Sequence, residues 1–282
     1  LTPSPQATET SAVVTFVNVR IGFDEGDVLR GVSFEVRPRE TLVLLGETGT
    51  GKTLTLKLAA GLLHPTQGKI EVMGHEVSSM SEGELLAYRR QLGFVFQEGA
   101  LFDSMTVAEN VAYRFREDRV PADEIEPRVR EALRFVELED TEDMLPGELS
   151  GGMRRRVAIA RALAARPPIV LYDSPTAGLD PVTAQTIITL ILRLRDEHGV
   201  TAMLATHRLQ DGFALANFRF DAETKRVVRL AKRKSALPEG AEESEPVTRF
   251  VVYREGRVYF EGAPEEMAES KDAYLQRFLV GI

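Results

Sequence analysis

An eight-residue run, Gly46-Glu47-Thr48-Gly49-Thr50-Gly51-Lys52-Thr53, holds the residue types that cradle a phosphate. It fits the pattern G-x-x-x-x-G-K-[ST]. Its glycines let backbone N–H groups converge on anionic oxygens, and a helix starting at the lysine adds the positive end of its dipole. In that chemistry the Lys52 ammonium reaches the β- and γ-phosphates of ATP, and the Thr53 hydroxyl ligates Mg²⁺. A second group stands far along the chain, where Ile169-Val170-Leu171-Tyr172-Asp173 is an apolar run ending in a carboxylate. Ligands of open parallel sheets gather beyond the carboxyl ends of strands, so Asp173 is placed to hold Mg²⁺ through its water shell. Alone, such an aspartate is more often a helix cap; the phosphate loop tips the reading toward metal. A third run, Leu149-Ser150-Gly151-Gly152-Met153, opens a helical pattern that continues through Leu163. Ser-Gly-Gly at a helix start serves either as a second anion site or as a plain cap.

These side chains need elements that bring strand ends and helix starts to one edge. Val13, Val14, Phe16, Val17 and Val19 read as a strand with a turn at Gly22, and Val28–Val36 reads as its partner. Thr41–Leu45 is a short buried strand ending at Gly46, and the apolar spacing after it predicts a helix over 53–63, stopped by Gly61 and Pro65. The stretch from Val107 to Leu163 is mostly helical in pattern; Glu124–Leu138 puts Ile125, Val129, Leu133 and Val136 on one face. Ile169–Tyr172 and Thr201–Ala205 read as further strands around a helix over 183–197. Strands alternating with helices predict an α/β fold with a parallel sheet wound on both sides. The inserted helical stretch predicts a small separate lobe over about 98–163. Residues 221–248 break the alternation as a charged insertion, with Lys225, Arg226, Arg229, Lys232, Arg233 and Lys234 followed by Glu239, Glu242, Glu243 and Glu245. We read it as a solvated hairpin whose charges offset one another. Phe250–Tyr253 and Val258–Phe260 form a closing hairpin, and a helical tail over 263–282 follows. The polar start, residues 1–12 with Pro3 and Pro5, reads as a loose tail.

Composition narrows the partners. The chain has 282 residues, 43% of them hydrophobic, and a net charge of −8, so no overall basic field argues for nucleic acid. With no cysteine there is no disulfide framework and no thiolate metal site, and none of the four histidines stands in metal-ligand spacing. No run approaches the roughly 18–20 apolar residues of a membrane span, so other chains would supply any spans.

The order of the phosphate loop, Gln97, Leu149–Met153, Asp173, Leu179-Asp180 and His207 resembles the ABC ATPases from about residue 13 to 262. The resemblance implies a P-loop NTPase with a RecA-like parallel sheet core, an antiparallel β subdomain and an inserted α-helical subdomain. It also implies that two copies, or this chain and a related ATPase, pair head to tail around two ATP molecules. Ser150, Gly151 and Gly152 of one copy would then contact the γ-phosphate held by the other copy's Lys52. Gln97 would link Mg²⁺ and the attacking water to a membrane permease. His207 would contact the γ-phosphate, and Asp180 would join the two sites across the dimer. Phe23 stands where the family stacks an aromatic ring on adenine; an ordinary core aromatic is the alternative.

One position departs from the family. A glutamate normally follows the aspartate of the apolar strand and handles the attacking water; this chain has Ser174. A serine hydroxyl is far too weak a base near neutrality, and general-base help contributes about 10²–10⁴-fold. ATP binding should survive, because Lys52, Thr53 and Asp173 are present. Three readings stand: slow hydrolysis supported by His207 and Gln97, pairing with a second ATPase that carries the glutamate, or a trap that binds without turning over.

The run Phe96–Val107, with Gly99-Ala100-Leu101-Phe102 after Gln97, resembles the lipid-transport ATPases that work with MCE proteins, the Mla type. Met153–Val157 and Tyr274–Leu279 resemble the same group. That resemblance implies phospholipid cargo, a permease, an MCE-type partner and a place on the cytoplasmic face of the inner membrane. The alternatives are another ABC importer, such as one for amino acids, and an ATP-dependent dimerisation switch.

Overall fold

A computed structural model describes residues 12–23, 26–230 and 247–279. Its antiparallel layer starts from the alternating N-terminal segments. Strand β1 (Val14–Phe23) pairs with β2 (Gly26–Val36) on one side and β4 (Gln67–Val72) on the other, and the two-residue β5 (His75–Glu76) closes the edge. Their inward residues form one apolar layer that includes Val14, Phe16, Val19, Leu29, Val32, Phe34 and Val36. The rings of Phe16 and Phe34 stack at 4.6 Å.

The central sheet has the order β12-β11-β3-β8-β7-β6, built from β3 (Glu40–Gly46), β6 (Leu92–Val95), β7 (Ile169–Asp173), β8 (Thr201–Ala205), β11 (Val247–Arg254) and β12 (Arg257–Gly262). All neighbours are parallel except β11 and β12. Every residue of β3, β7 and β8 is buried, which accounts for unbroken apolar runs in place of alternation. Successive residues face opposite ways. Val43, Val170, Tyr172 and Leu204 join one core, while Leu44, Leu171, Met203 and Ala205 join the other.

The second core packs on the antiparallel layer, α1 (Lys52–Ala59) and α2 (Glu82–Arg89). The first holds the helices of the predicted insertion, α3 (Val107–Glu117), α4 (Ala122–Phe135) and α5 (Gly151–Leu163), together with α6 (Pro181–His198). Helix α7 (Leu209–Asn217) runs into a small hairpin of β9 (Phe218–Asp221) and β10 (Arg226–Arg229), and α8 (Pro264–Glu269) and α9 (Ala273–Leu279) follow the last strand.

One expectation is corrected. Helix α1 ends at Ala59 instead of reaching residue 63, because Gly61 turns left-handed at φ +63° and breaks the ladder. The first part of the charged segment folds as a hairpin, in which Asp221 closes β9 and β9 pairs back with β10. Lys232, Arg233, Lys234 and the glutamates over 239–245 lie outside the described residues, as does the polar start over 1–11. Among the described residues no helix is long and apolar enough to cross a membrane.

Candidate nucleotide site

The phosphate loop leaves β3 between two supports. Gly46 has φ +146°, and a Cβ there would stand 2.8 Å from the carbonyl oxygen of Tyr253 in the adjacent β11. Gly51 has φ +103°, and a Cβ there would overlap Leu29 of β2, 2.1 Å from its Cδ2. Glycine is required at both positions for space as well as conformation. Thr50 Oγ1 donates to the Glu47 carbonyl at 2.8 Å and tightens the turn. Gly51 is the N-cap of α1 and supplies no side-chain cap. The first N–H groups of the helix are thus left for an outside acceptor.

Lys52, only 9% exposed, folds back over the loop. Its Nζ donates to the carbonyls of Gly46 at 2.8 Å and Glu47 at 2.7 Å. Burial holds its pKa below the ordinary lysine value, against the opposing fields of Asp173 and Glu47. Next along the helix, Thr53 Oγ1 donates to Asp173 Oδ1 at 2.9 Å, so the loop and the end of β7 meet at a hydroxyl–carboxylate pair. Ser174 Oγ lies 3.5 Å from the same Oδ1. Ser174 is left-handed at φ +47°, and its N–H donates to the Ala205 carbonyl at 2.8 Å. A buried ammonium, a helix start without a side-chain cap and a hard-oxygen pair form a donor set suited to a triphosphate with Mg²⁺.

The other predicted residues take separate stations. Ser150 is the N-cap of α5, and its hydroxyl accepts from Met153 N at 3.2 Å. Gly151 is exposed beside it; Gly152 is buried, and a Cβ there would meet Thr183 Cγ2 at 2.4 Å. Asp180 caps α6, accepting from the N–H groups of Val182 and Thr183 at 3.0 Å each. Hydrogen bonds from Thr183 and Val182 hold its carboxyl below the usual range. Gln97, just after β6, and His207, just after β8, are both exposed. Glu47 and Thr48 are exposed on the loop. Phe23 is 56% exposed at the tip of the β1–β2 hairpin, so it is no core aromatic.

Supporting residues were not visible in the sequence. Thr55, one turn into α1, shares a 3.0 Å hydrogen bond with the Tyr253 hydroxyl, and Tyr274 Oη donates to the Tyr253 carbonyl at 3.0 Å. Burial pushes the Tyr253 hydroxyl pKa up, so it stays neutral. Arg155 of α5, 6% exposed, donates to the Phe96 carbonyl at 2.9 Å and to the Ala177 carbonyl at 3.4 Å. It thereby ties α5 to the segments around Gln97 and after Asp173. Burial lowers its pKa, with Glu98 and Asp173 opposing. Only the run of arginines from 154 to 156 hinted at such a role.

The family model described as "ABC transporter" matches residues 29–177, which include the phosphate loop, Gln97, Ser150–Gly152 and Asp173. The chain belongs to the ABC transporter family. Among curated ABC relatives, it is 38% identical over 201 residues to the methionine import ATP-binding protein MetN 2 of Bacillus cereus. It is 40% identical over 179 residues to the MetN protein of Carboxydothermus hydrogenoformans. These matches cover 70% and 64% of this chain but only 59% and 53% of those proteins. Among solved ABC structures, the dimeric post-hydrolysis cassette MJ0796 bound to ADP and Pi superposes with a TM-score of 0.72 at 28% identity, covering 89% of this chain and 98% of that one. The structure of cbiO1 from Clostridium perfringens, part of the ABC transporter complex cbiONQ, gives 0.74 at 26% identity over 95% of both chains. The fold is therefore the ABC ATPase fold, a P-loop NTPase with a mixed sheet.

Proposed function

We propose that this chain is the ATP-hydrolysing subunit of an ABC importer for a small solute, acting as a head-to-tail pair beneath a membrane permease. The observation that carries the ATPase assignment is the 2.9 Å contact between Thr53 and Asp173, with the buried Lys52 beside it. Importer relatives support the cargo class: the two curated proteins compared above are both named for methionine import. Bound Mg²⁺ would neutralise charge developing on the transferred phosphoryl group. This chain's own residues do the rest. Lys52 releases the two loop carbonyls to meet phosphate, and Thr53 and Asp173 hold the metal. Ser150–Gly152 of the opposing copy would close the site, Phe23 would stack on the adenine, and Asp180 would meet the other copy. Gln97 and His207 orient water near the γ-phosphate, in place of the carboxylate that Ser174 lacks.

A second reading, lipid transport with an MCE-type partner at the cytoplasmic face of the inner membrane, rests on the Gly99-Ala100-Leu101-Phe102 run. Phe102 is 40% exposed, packs on Tyr113 at 4.6 Å and lies under Arg161. The methionine-import relatives give this reading no support, so import of a small solute stands first.

The test is co-purification from membranes followed by ATPase turnover of the recovered complex, with methionine, other amino acids or phospholipid vesicles added in turn. Stimulation by an amino acid is the expected result. Stimulation by phospholipid with an MCE protein in the complex would replace it with the second reading. ATP-induced dimerisation without turnover in the whole complex would make the chain a switch.

A further inference from the structure

A buried polar cluster lies behind the segments that flank the phosphate loop, and the chemistry above leaves it unused. Asp211, in the first turn of α7, is 3% exposed. Its Oδ2 accepts from the hydroxyl of Thr176 and from Thr206 Oγ1 at 3.2 Å, while Oδ1 faces Arg208 Nε at 3.6 Å. Thr176 and Thr206 are each 1% exposed. Thr176 sits in the turn between Asp173 and Asp180; Thr206 immediately precedes His207. Thr206 Oγ1 also accepts from Arg208 N at 3.0 Å, so hydrogen bonds bracket His207 on both sides. On the strand side, the Ser174 N–H bond to the Ala205 carbonyl joins the same two segments a second time.

An acidic residue in the first turn of a helix is commonly explained by the helix dipole alone. That account suits an exposed carboxylate, which costs little. Asp211 is buried, and a buried charge is retained only at a desolvation cost. Its hydroxyl partners come from outside its own helix.

We propose that Asp211 is a positioning residue for hydrolysis, whose carboxylate locks the turn after Asp173 to the segment presenting His207. The proposal rests on the ATPase reading above. With Ser174 supplying no carboxylate, the polar groups left for the attacking water are Gln97 and His207, and His207 is exposed. Its place is set through its own backbone and therefore through Thr206. Loosening the link would misplace His207 while leaving the Gly46–Thr53 loop and Asp173 intact. Turnover would then fall, with little change in nucleotide affinity.

The test uses the whole chain with Thr176→Val, which swaps a hydroxyl for a methyl, and Asp211→Asn, with thermal melts confirming the fold. Histidine Cε1–Hε1 spectra are recorded with Mg²⁺ and a non-hydrolysable ATP analogue, and His207→Ala assigns the relevant signal among the four histidines. Both variants are expected to move the His207 signal and leave those of His64, His75 and His198 in place. They should lower kcat about fivefold or more with KM for ATP within about twofold. Thr176→Val should add nothing on a His207→Ala background. An unmoved His207 signal overturns the proposal, as does a Thr176→Val loss that recurs in full without His207. If Asp211→Asn fails to fold, Thr176→Val alone decides. Absence of turnover in the unmodified chain would instead sink the ATPase reading, and the His207 signal would still decide the link.

Discussion

Oγ1 of Thr53 donates to Oδ1 of Asp173 at 2.9 Å, joining residues 120 apart in sequence. The helix that follows the phosphate loop is thereby tied to the end of β7. A neutral amide in place of the Asp173 carboxylate would be a weaker partner for Mg²⁺ and its bound water. Asp173→Asn should therefore abolish the Mg²⁺ dependence of ATP binding, while Mg²⁺-free binding persists through Lys52 and the loop amides. Calorimetry with and without Mg²⁺ checks this; an undiminished Mg²⁺ effect would falsify the assignment.

Ser174 already adopts the left-handed backbone its position demands. Ser174→Glu adds a carboxylate without asking for a new backbone conformation. Turnover should rise about tenfold or more, a threshold set below the roughly 10²–10⁴-fold that general-base help typically contributes. Steady-state phosphate release measures it, and an unchanged rate would show that another group handles the water.

Gly152 has no room for a methyl group, since a Cβ would approach Thr183 Cγ2 to 2.4 Å. Gly152→Ala should cost about 1–3 kcal/mol, the usual range for overpacking. Thr183→Ser removes the opposing methyl and keeps the hydroxyl, so the double variant should recover most of the loss. Denaturant melts of the single and double variants decide; a double variant no better than Gly152→Ala would place the strain elsewhere.

Lys52 carries a pKa depressed by burial below 10.5. For a lysine this means that the folded chain binds its proton less readily than the unfolded chain, so the nucleotide-free fold gains stability as pH rises through the depressed value toward 10.5. Phosphate oxygens beside Nζ would push the pKa back up. ATP binding should then take up protons at alkaline pH, between the depressed value and 10.5. Calorimetry in buffers of different ionisation enthalpy reads the uptake directly. Its persistence in Lys52→Ala would assign it to another group.

Short strands were the most legible part of the fold. Thr201–Ala205 coincides with β8 because a five-residue apolar run between turn signals has few other places to go. Boundaries set by backbone conformation were harder. Leu62 and Leu63 prolong the helical spacing of α1, yet Gly61 had already ended the helix. Within the site, the loop residues and Asp173 were legible because each carries its chemistry in its own side chain and local context. Asp211 and Tyr253 were not. Asp211 gains its meaning from Thr176, 35 positions away, and Tyr253 from Thr55, 198 positions away. No periodicity encodes such pairs. The lipid-transport resemblance rested on short runs, Phe96–Val107, Met153–Val157 and Tyr274–Leu279, which mix exposed residues such as Phe102 with buried ones such as Val107 and Val157.

The two walls of the phosphate loop come from distant parts of the sequence: Leu29 confronts Gly51, and Tyr253 confronts Gly46. Seen from the ribosome, the loop itself is made early, but one wall is made late. Strand β11 must slide in beside β3 after some two hundred further residues have emerged, a long-range closure that comes slowly in folding. Until then Gly46 has no backbone neighbour on that side, and Thr55 has no tyrosine to hold. The shape of the phosphate loop is thus fixed on one side by a strand encoded some two hundred positions downstream of it.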